Sequence, residues 1–236
     1  MNHGFKPLKW VIEMEIKIRA SFVGNIMADP VAKADKEAGN LSKGAKTALN
    51  SLAKELFYGY RKELKNKDIL KGNACEQDSI DLYNHVFGTG YAKNTERVNA
   101  EFMTGECDIL ADNIIVDIKS SYSLATFPAT AEEAENDLYY WQGVMYMYLY
   151  NKQRYQVAYC IVDTPDELCR YEQEALHNVS HIDPRLRVTT WGFERNLADE
   201  ERMINKCKKA CEYILSQIEK IKKAHEHGHD KDDWIF

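Results

Sequence analysis

Apolar and polar positions alternate along residues 10–20, with Ile12, Met14, Ile16 and Ile18 on one side and Glu13, Glu15, Lys17 and Arg19 on the other. That period of two is the pattern of a strand or an extended lead-in. Ser21 follows, ahead of a short apolar run that ends before Pro30, so its hydroxyl stands where it can cap a short helix. A plain cap is the simpler of two readings; the other is a phosphate cradle beside Arg19. From Ser42 the period lengthens. Ala45, Leu49, Leu52, Leu56, Tyr60 and Leu64 recur at helical spacing with lysines opposite, which predicts an amphipathic helix to about Lys65.

A further helix is expected over residues 73–87. Its stripe runs back from Phe87 through Tyr83 and Ile80 to Glu76, which sets a carboxylate on the face due for burial. A buried Glu is costly unless it is paired, neutral or metal-bound, while a place in the first turn also suits it to the helix N-terminus. Val98, Ala100 and Phe102 share one side of a strand expected over 96–103.

Residues 106–111 and 114–119 read as two short apolar strands joined by Asp112-Asn113, a pair that tolerates the positive φ of a tight hairpin. Counting back from that turn sets Asp108 opposite Asp117, on one face of the ladder. Lys119, two residues on, shares the face. Opposed carboxylates repel, and a divalent cation held by Asp108 and Asp117 with Lys119 beside it resolves the conflict.

After a loop over 120–130, carboxylates at Glu132, Glu133, Glu135 and Asp137 lead a helix running to Tyr150. On it Gln142 and Tyr146, four apart, share a face. Strands are expected over 156–162 and 187–193. A long helix is expected over 198–225, followed by a His-containing solvated tail at 226–236.

No linker divides the 236 residues, so a single domain is expected, with its core over about 10–195. No window has the apolar length of a membrane span, and the charged N-terminal stretch is unlike a signal peptide; a cytoplasmic protein is expected. Six scattered cysteines read as reduced thiols. Residues 31–72 hold ten Lys/Arg against five Asp/Glu in a chain of net charge −6, which fits either a solvated helix face or a basic groove beside an acidic site. The absence of a Walker loop, a Gly-x-Gly-x-x-Gly turn and a nucleophile elbow argues against a nucleotide-driven motor or a serine hydrolase.

Glu76 on a helix, Asp108, Asp117-x-Lys119 and Gln142-x-x-x-Tyr146, in that order, resemble the PD-(D/E)xK nuclease superfamily and its RecB-type branch. Arg19-Ala-Ser21 before a short helix is similar to the phage lambda exonuclease or YqaJ-type viral recombinase proteins. The hairpin departs from the pattern in two places: Cys107 stands where a Pro is usual, and Asp117 where many relatives carry Glu.

The resemblance implies an α/β restriction-endonuclease-like core, a central mixed sheet flanked by helices. It implies one or two Mg²⁺ or Mn²⁺ ions on Asp108, Asp117 and the backbone carbonyl of Ile118, with Glu76 near a second ion. Lys119 would orient or deprotonate the attacking water, Gln142 and Tyr146 would hold the site's geometry, and Arg19 and Ser21 would contact a terminal 5′ phosphate. The implied activity is 5′-to-3′ exonucleolytic hydrolysis of linear duplex DNA in phage-type recombination. Its implied setting is a bacterial or phage-infected cell, its implied assembly a ring-shaped trimer, and its implied partner a single-strand annealing protein. A structure-specific endonuclease and a non-catalytic DNA-end binding module are the alternatives.

Overall fold

The computed structural model describes residues 15–61 and 66–226. Within them the extended lead-in is strand only at β1 (Ile18–Arg19), which turns straight into α1 (Ala20–Met27); residues 10–14 of the expected strand lie outside the described residues. Ile18 and Arg19 pair in parallel with Met103 and Thr104, which keeps the chain extended through Arg19. The helix therefore begins one residue before Ser21. Arg19 takes the N-cap position with no side-chain cap, and Ser21 is exposed on the first turn rather than capping it.

After the short α2 (Lys33–Glu37), α3 (Lys43–Tyr58) starts as the pattern predicts. Ser42 Oγ accepts from Ala45 N at 3.1 Å. Ser42→Ala is expected to cost about 1 kcal/mol, measurable as a lower urea midpoint at unchanged m. The helix stops at Tyr58 rather than near Lys65, because Gly59 adopts the left-handed conformation (φ 67°) and its N–H returns to Glu55 O. Tyr60 is exposed, and Leu64 lies outside the described residues.

The helix expected over 73–87 begins only at Glu76, as α5 (Glu76–Phe87), and a helix the pattern did not mark, α4 (Lys67–Ala74), precedes it across Cys75 at φ −112° and ψ 15°. Helix α4 is pinned by Lys71, fully buried, whose ammonium donates to Val162 O at 2.7 Å and Tyr122 O at 3.1 Å. The break lets α4 follow those carbonyls while α5 packs Ile80, Leu82 and Tyr83 on the sheet.

The strand expected over 96–103 folds back on itself as β2 (Val98–Asn99) and β3 (Met103–Gly105), Ala100 N donating to Met103 O at 2.9 Å. Then come β4 (Ile109–Leu110), shorter than expected, and β5 (Ile114–Ser120). The helix expected from Ala131 to Tyr150 is interrupted. After α6 (Ala131–Ala134), Glu135 is extended, and Asn136 caps α7 (Asp137–Tyr150) by accepting from Leu138 N at 2.8 Å. A new cap at Asn136 restarts the helix in the direction its core face requires. β6 (Arg154–Cys160), α8 (Asp166–Cys169), β7 (Val188–Glu194) and α9 (Leu197–Glu226) complete the order.

One sheet runs β1-β3-β2 and the other β4-β5-β6-β7, each mixing parallel and antiparallel pairs. On one face of β5 and β6, Ile115, Tyr155 and Val157 pack with α1, α3, α7 and α9; on the other, Val116, Ile118, Ala158 and Cys160 meet α5. All six cysteines are free. No helix among the described residues is long and apolar enough to cross a membrane.

Candidate active site

The β4–β5 hairpin pairs Ile109 with Val116 and Leu110 with Ile115, so the register counted back one step sets Asp108 opposite Asp117. Asp108 stands just before the ladder, and its Oδ2 accepts from Ile118 N at 2.8 Å. The turn departs from expectation, since neither Asp112 nor Asn113 has positive φ; a single bond from Ala111 N to Ile114 O, 3.0 Å, closes it. Asp117 is buried, on the α7 face of the sheet. Lys119 Nζ lies 2.5 Å from Asp117 Oδ2 and 4.7 Å from the centre of the Tyr139 ring. An ammonium this close donates to that buried oxygen as well as pairing with its charge.

The electrostatics follow from this crowding. Burial first and Asp117 second raise Asp108 to about 7, against Lys119 and the Ile118 N–H. Burial pulls the Lys119 ammonium down, but Asp117 and Asp108 outweigh it and hold it above the ordinary lysine range.

From α7, Gln142 Nε2 donates to Asp117 Oδ1 at 3.3 Å and to Tyr146 Oη at 3.2 Å. Tyr146 Oη donates in turn to Glu106 O at 2.9 Å. The shared helix face thus joins the hairpin at two points. Tyr155 was missed by sequence reasoning. Its ring lies flat on Gly143, where a Cβ would come within 2.4 Å of it. Burial and then Asp117 raise its buried hydroxyl well above the ordinary phenol range. An isolated Gly within an aromatic helix was the available signal for such a close approach.

Glu76 is not buried as its stripe implied. Its side chain is 37% exposed and ion-paired with Lys93, a loop residue that no periodicity marks. Among the described residues no three His, Cys, Asp or Glu side chains converge to form a metal site by themselves, because Glu76 faces Lys93. The oxygens present nevertheless suit a hard divalent cation. Asp117 is buried with Lys119 as its ion-pair partner, and Asp108 opposite it is driven toward neutrality by burial first and by Asp117 second, a repulsion that a cation between the two would relieve.

Asp108, Asp117, Lys119, Gln142, Tyr146 and Glu76 line one groove of about 800 Å³, with Ser21 at its end. Ser21 and Tyr146 also line an adjoining pocket of about 120 Å³ that holds Arg19, Arg61 and Arg97. Burial first, then Arg61 and to a lesser degree Arg97, lower the Arg19 guanidinium, with Glu55 opposing. Arg97 pairs with Glu106 at 3.0 Å.

Opposed carboxylates and a lysine on the hairpin of a mixed sheet, braced by a helix Gln, define a nuclease of the PD-(D/E)xK class. The chain belongs to the phage-related exonucleases. It is 31% identical to one from Haemophilus somnus 129PT, with 90% of this chain and 99% of that chain covered and a TM-score of 0.85. An alkaline exonuclease from Laribacter hongkongensis shares the fold at 15% identity, over 94% of this chain and 99% of that one, with a TM-score of 0.64. The complex of that enzyme with dAMP matches at 16% identity, covering 89% and 94%, with a TM-score of 0.64. No family model and no curated relative matches the sequence.

Proposed function

We propose that this exonuclease hydrolyses linear double-stranded DNA from a phosphorylated 5′ end, with one or two Mg²⁺ or Mn²⁺ ions. The observation that carries the reading is the continuity of two sites: the Asp108–Asp117–Lys119 hairpin and the arginine pocket share Ser21 and Tyr146 as lining. A strand whose terminal phosphate sits among Arg19 and Arg61 would lay its first phosphodiester along the carboxylates.

Asp108, Asp117 and the Ile118 carbonyl would hold the ion, with Glu76 for a second. When bound, the ion neutralises the phosphate and lowers the pKa of its water. Lys119, kept protonated by the two carboxylates, orients the attacking water and steadies charge at the phosphate. Gln142 fixes the rotamer of Asp117, and Tyr146 ties Gln142 to the Glu106 carbonyl. Arg19 offers a bidentate fork to the terminal phosphate and Ser21 a hydroxyl. By the same resemblance the enzyme acts in phage-type recombination in the bacterial cytoplasm, as a ring-shaped trimer with a single-strand annealing protein.

A duplex carrying a 5′ phosphate on one strand tests the polarity: with Mg²⁺ the phosphorylated strand alone should shorten, and with EDTA neither. Arg19→Ala should lower kcat/KM on phosphorylated ends by roughly 10–100-fold, the scale of one charged hydrogen-bonding group, and leave 5′-hydroxyl ends unchanged. Equal loss on both ends would sink the role of Arg19.

A further inference from the structure

Lys93 was absent from every sequence pattern, yet it is the cation that faces Glu76. We infer that Lys93 exchanges partners during the catalytic cycle: it neutralises Glu76 in the metal-free protein and passes to a DNA backbone phosphate when Glu76 turns to the metal. The inference rests on the metal role proposed for Glu76.

The loop that carries Lys93 is built to hold it. Asn84 clasps Tyr91, accepting from its N–H at 2.9 Å through Oδ1 and donating to its carbonyl at 2.9 Å through Nδ2. On the other side, Asn94 N donates to Asp108 O at 2.7 Å, and Asn94 Nδ2 to Cys107 O at 3.0 Å. The backbone flanking Lys93 is thus fixed to α5 and to the residue bearing the first carboxylate. Only the side chain is left free to move, and it is 34% exposed.

Glu76 lines the groove with Asp108 and Asp117, but its carboxylate pairs with Lys93 and does not join them as a third ligand. A single-charge pair with both members partly solvated is weak, whereas a divalent ion beside two buried carboxylates attracts Glu76 more strongly. Once Glu76 swings to the ion, the Lys93 ammonium has lost its partner and is repelled by the new double charge. Asp108, near enough for the Lys93 ammonium to lower its carboxyl, is then held by the ion, and the phosphate backbone entering the groove is the anion left to Lys93. Lys93 would therefore deliver its charge only when the site is loaded, which couples substrate grip to metal.

The test compares the full-length protein with Lys93→Met, Lys93→Arg and Glu76→Gln. Without DNA, Mn²⁺ binding by calorimetry should tighten about 3–10-fold in Lys93→Met, because the ammonium no longer competes for Glu76. With Ca²⁺ in place of Mg²⁺, duplex affinity should fall, and the slope of log K against log salt should drop by about 1; Lys93→Arg should restore the slope. An unchanged slope in Lys93→Met, or weakened Mn²⁺ binding, overturns the exchange and leaves Lys93 a structural partner. If Glu76→Gln binds Mn²⁺ and cuts like the wild type, the metal role of Glu76 fails and the exchange with it. A lowered slope in Lys93→Met would then remain as a separate phosphate contact.

Discussion

Asp117→Asn is expected to reduce kcat on linear duplex by roughly 10³-fold or more, the scale of removing a main electrostatic contributor, here a proposed ligand of the ion. The melting temperature should not fall. Asp117 is buried and faces a second carboxylate, so the repulsion that raises Asp108 offsets its ion pair with Lys119. An amide keeps the volume and removes the repulsion, in the way that functional groups commonly trade stability for activity. Differential scanning calorimetry beside a steady-state assay checks both halves. A variant that retains activity within tenfold, or unfolds several degrees early, would show Asp117 to be scaffold rather than site.

The pH dependence of the metal-free protein gives the same pair a second signature. Asp108 is raised to about 7, by burial first and by Asp117 second, so the folded chain binds that proton more tightly than the unfolded one. Its stabilising contribution is complete below the ordinary carboxylate pKa and is lost as pH rises through about 7. In Asp117→Asn the repulsion is gone while Lys119 still lowers Asp108, so this loss of stability between acid and neutral pH should shrink.

The Asp108–Asp117 opposition was legible because a hairpin's register is arithmetic. A turn at Asp112-Asn113 fixes every pair behind it, and Ile109–Val116 and Leu110–Ile115 obey that count even though the turn avoids positive φ. Gln142 with Tyr146 was legible because helical spacing alone puts them on one face. The long helix, expected over 198–225 and found over Leu197–Glu226, and the start of α3 after Ser42 were legible for similarly local reasons.

What escaped was set by distant partners. The break at Cys75 follows from Lys71 reaching carbonyls at Tyr122 and Val162, a demand invisible within the segment itself. Arg19 ends a strand because it pairs with Thr104, and that pairing moved the helix start off Ser21. Lys93 sits in a loop without periodicity, and Arg97 in a segment read as strand that the structure leaves outside β2, so their approach to Glu76 and Glu106 left no trace in the pattern. Glu76 was expected on the buried face of its helix and is instead 37% exposed. Its partner is an ordinary lysine, Lys93.

Gly143 shows how closely the scaffold and the chemistry are joined, and it carries the second large effect. A Cβ at this position would lie 2.4–2.7 Å from three atoms of the Tyr155 ring, well inside van der Waals contact. Tyr155 is buried and packed against Phe193 at a centroid distance of 5.4 Å, so the ring cannot retreat without shifting β7. Gly143→Ala gains about 1 kcal/mol of helix propensity but incurs overpacking of roughly 3 kcal/mol. The overpacking wins, and a net loss near 2 kcal/mol should lower the melting temperature by roughly 4–8 °C for a chain of this size. Activity should fall as well, since the displaced helix carries Gln142, whose 3.3 Å bond to Asp117 is the link between α7 and the carboxylates. Gly143→Ala combined with Tyr155→Leu, which shortens the opposing side chain, should recover most of the stability. If the single variant melts like the wild type, the ring does not lie on Gly143 and the bracing of Asp117 through α7 must be drawn differently.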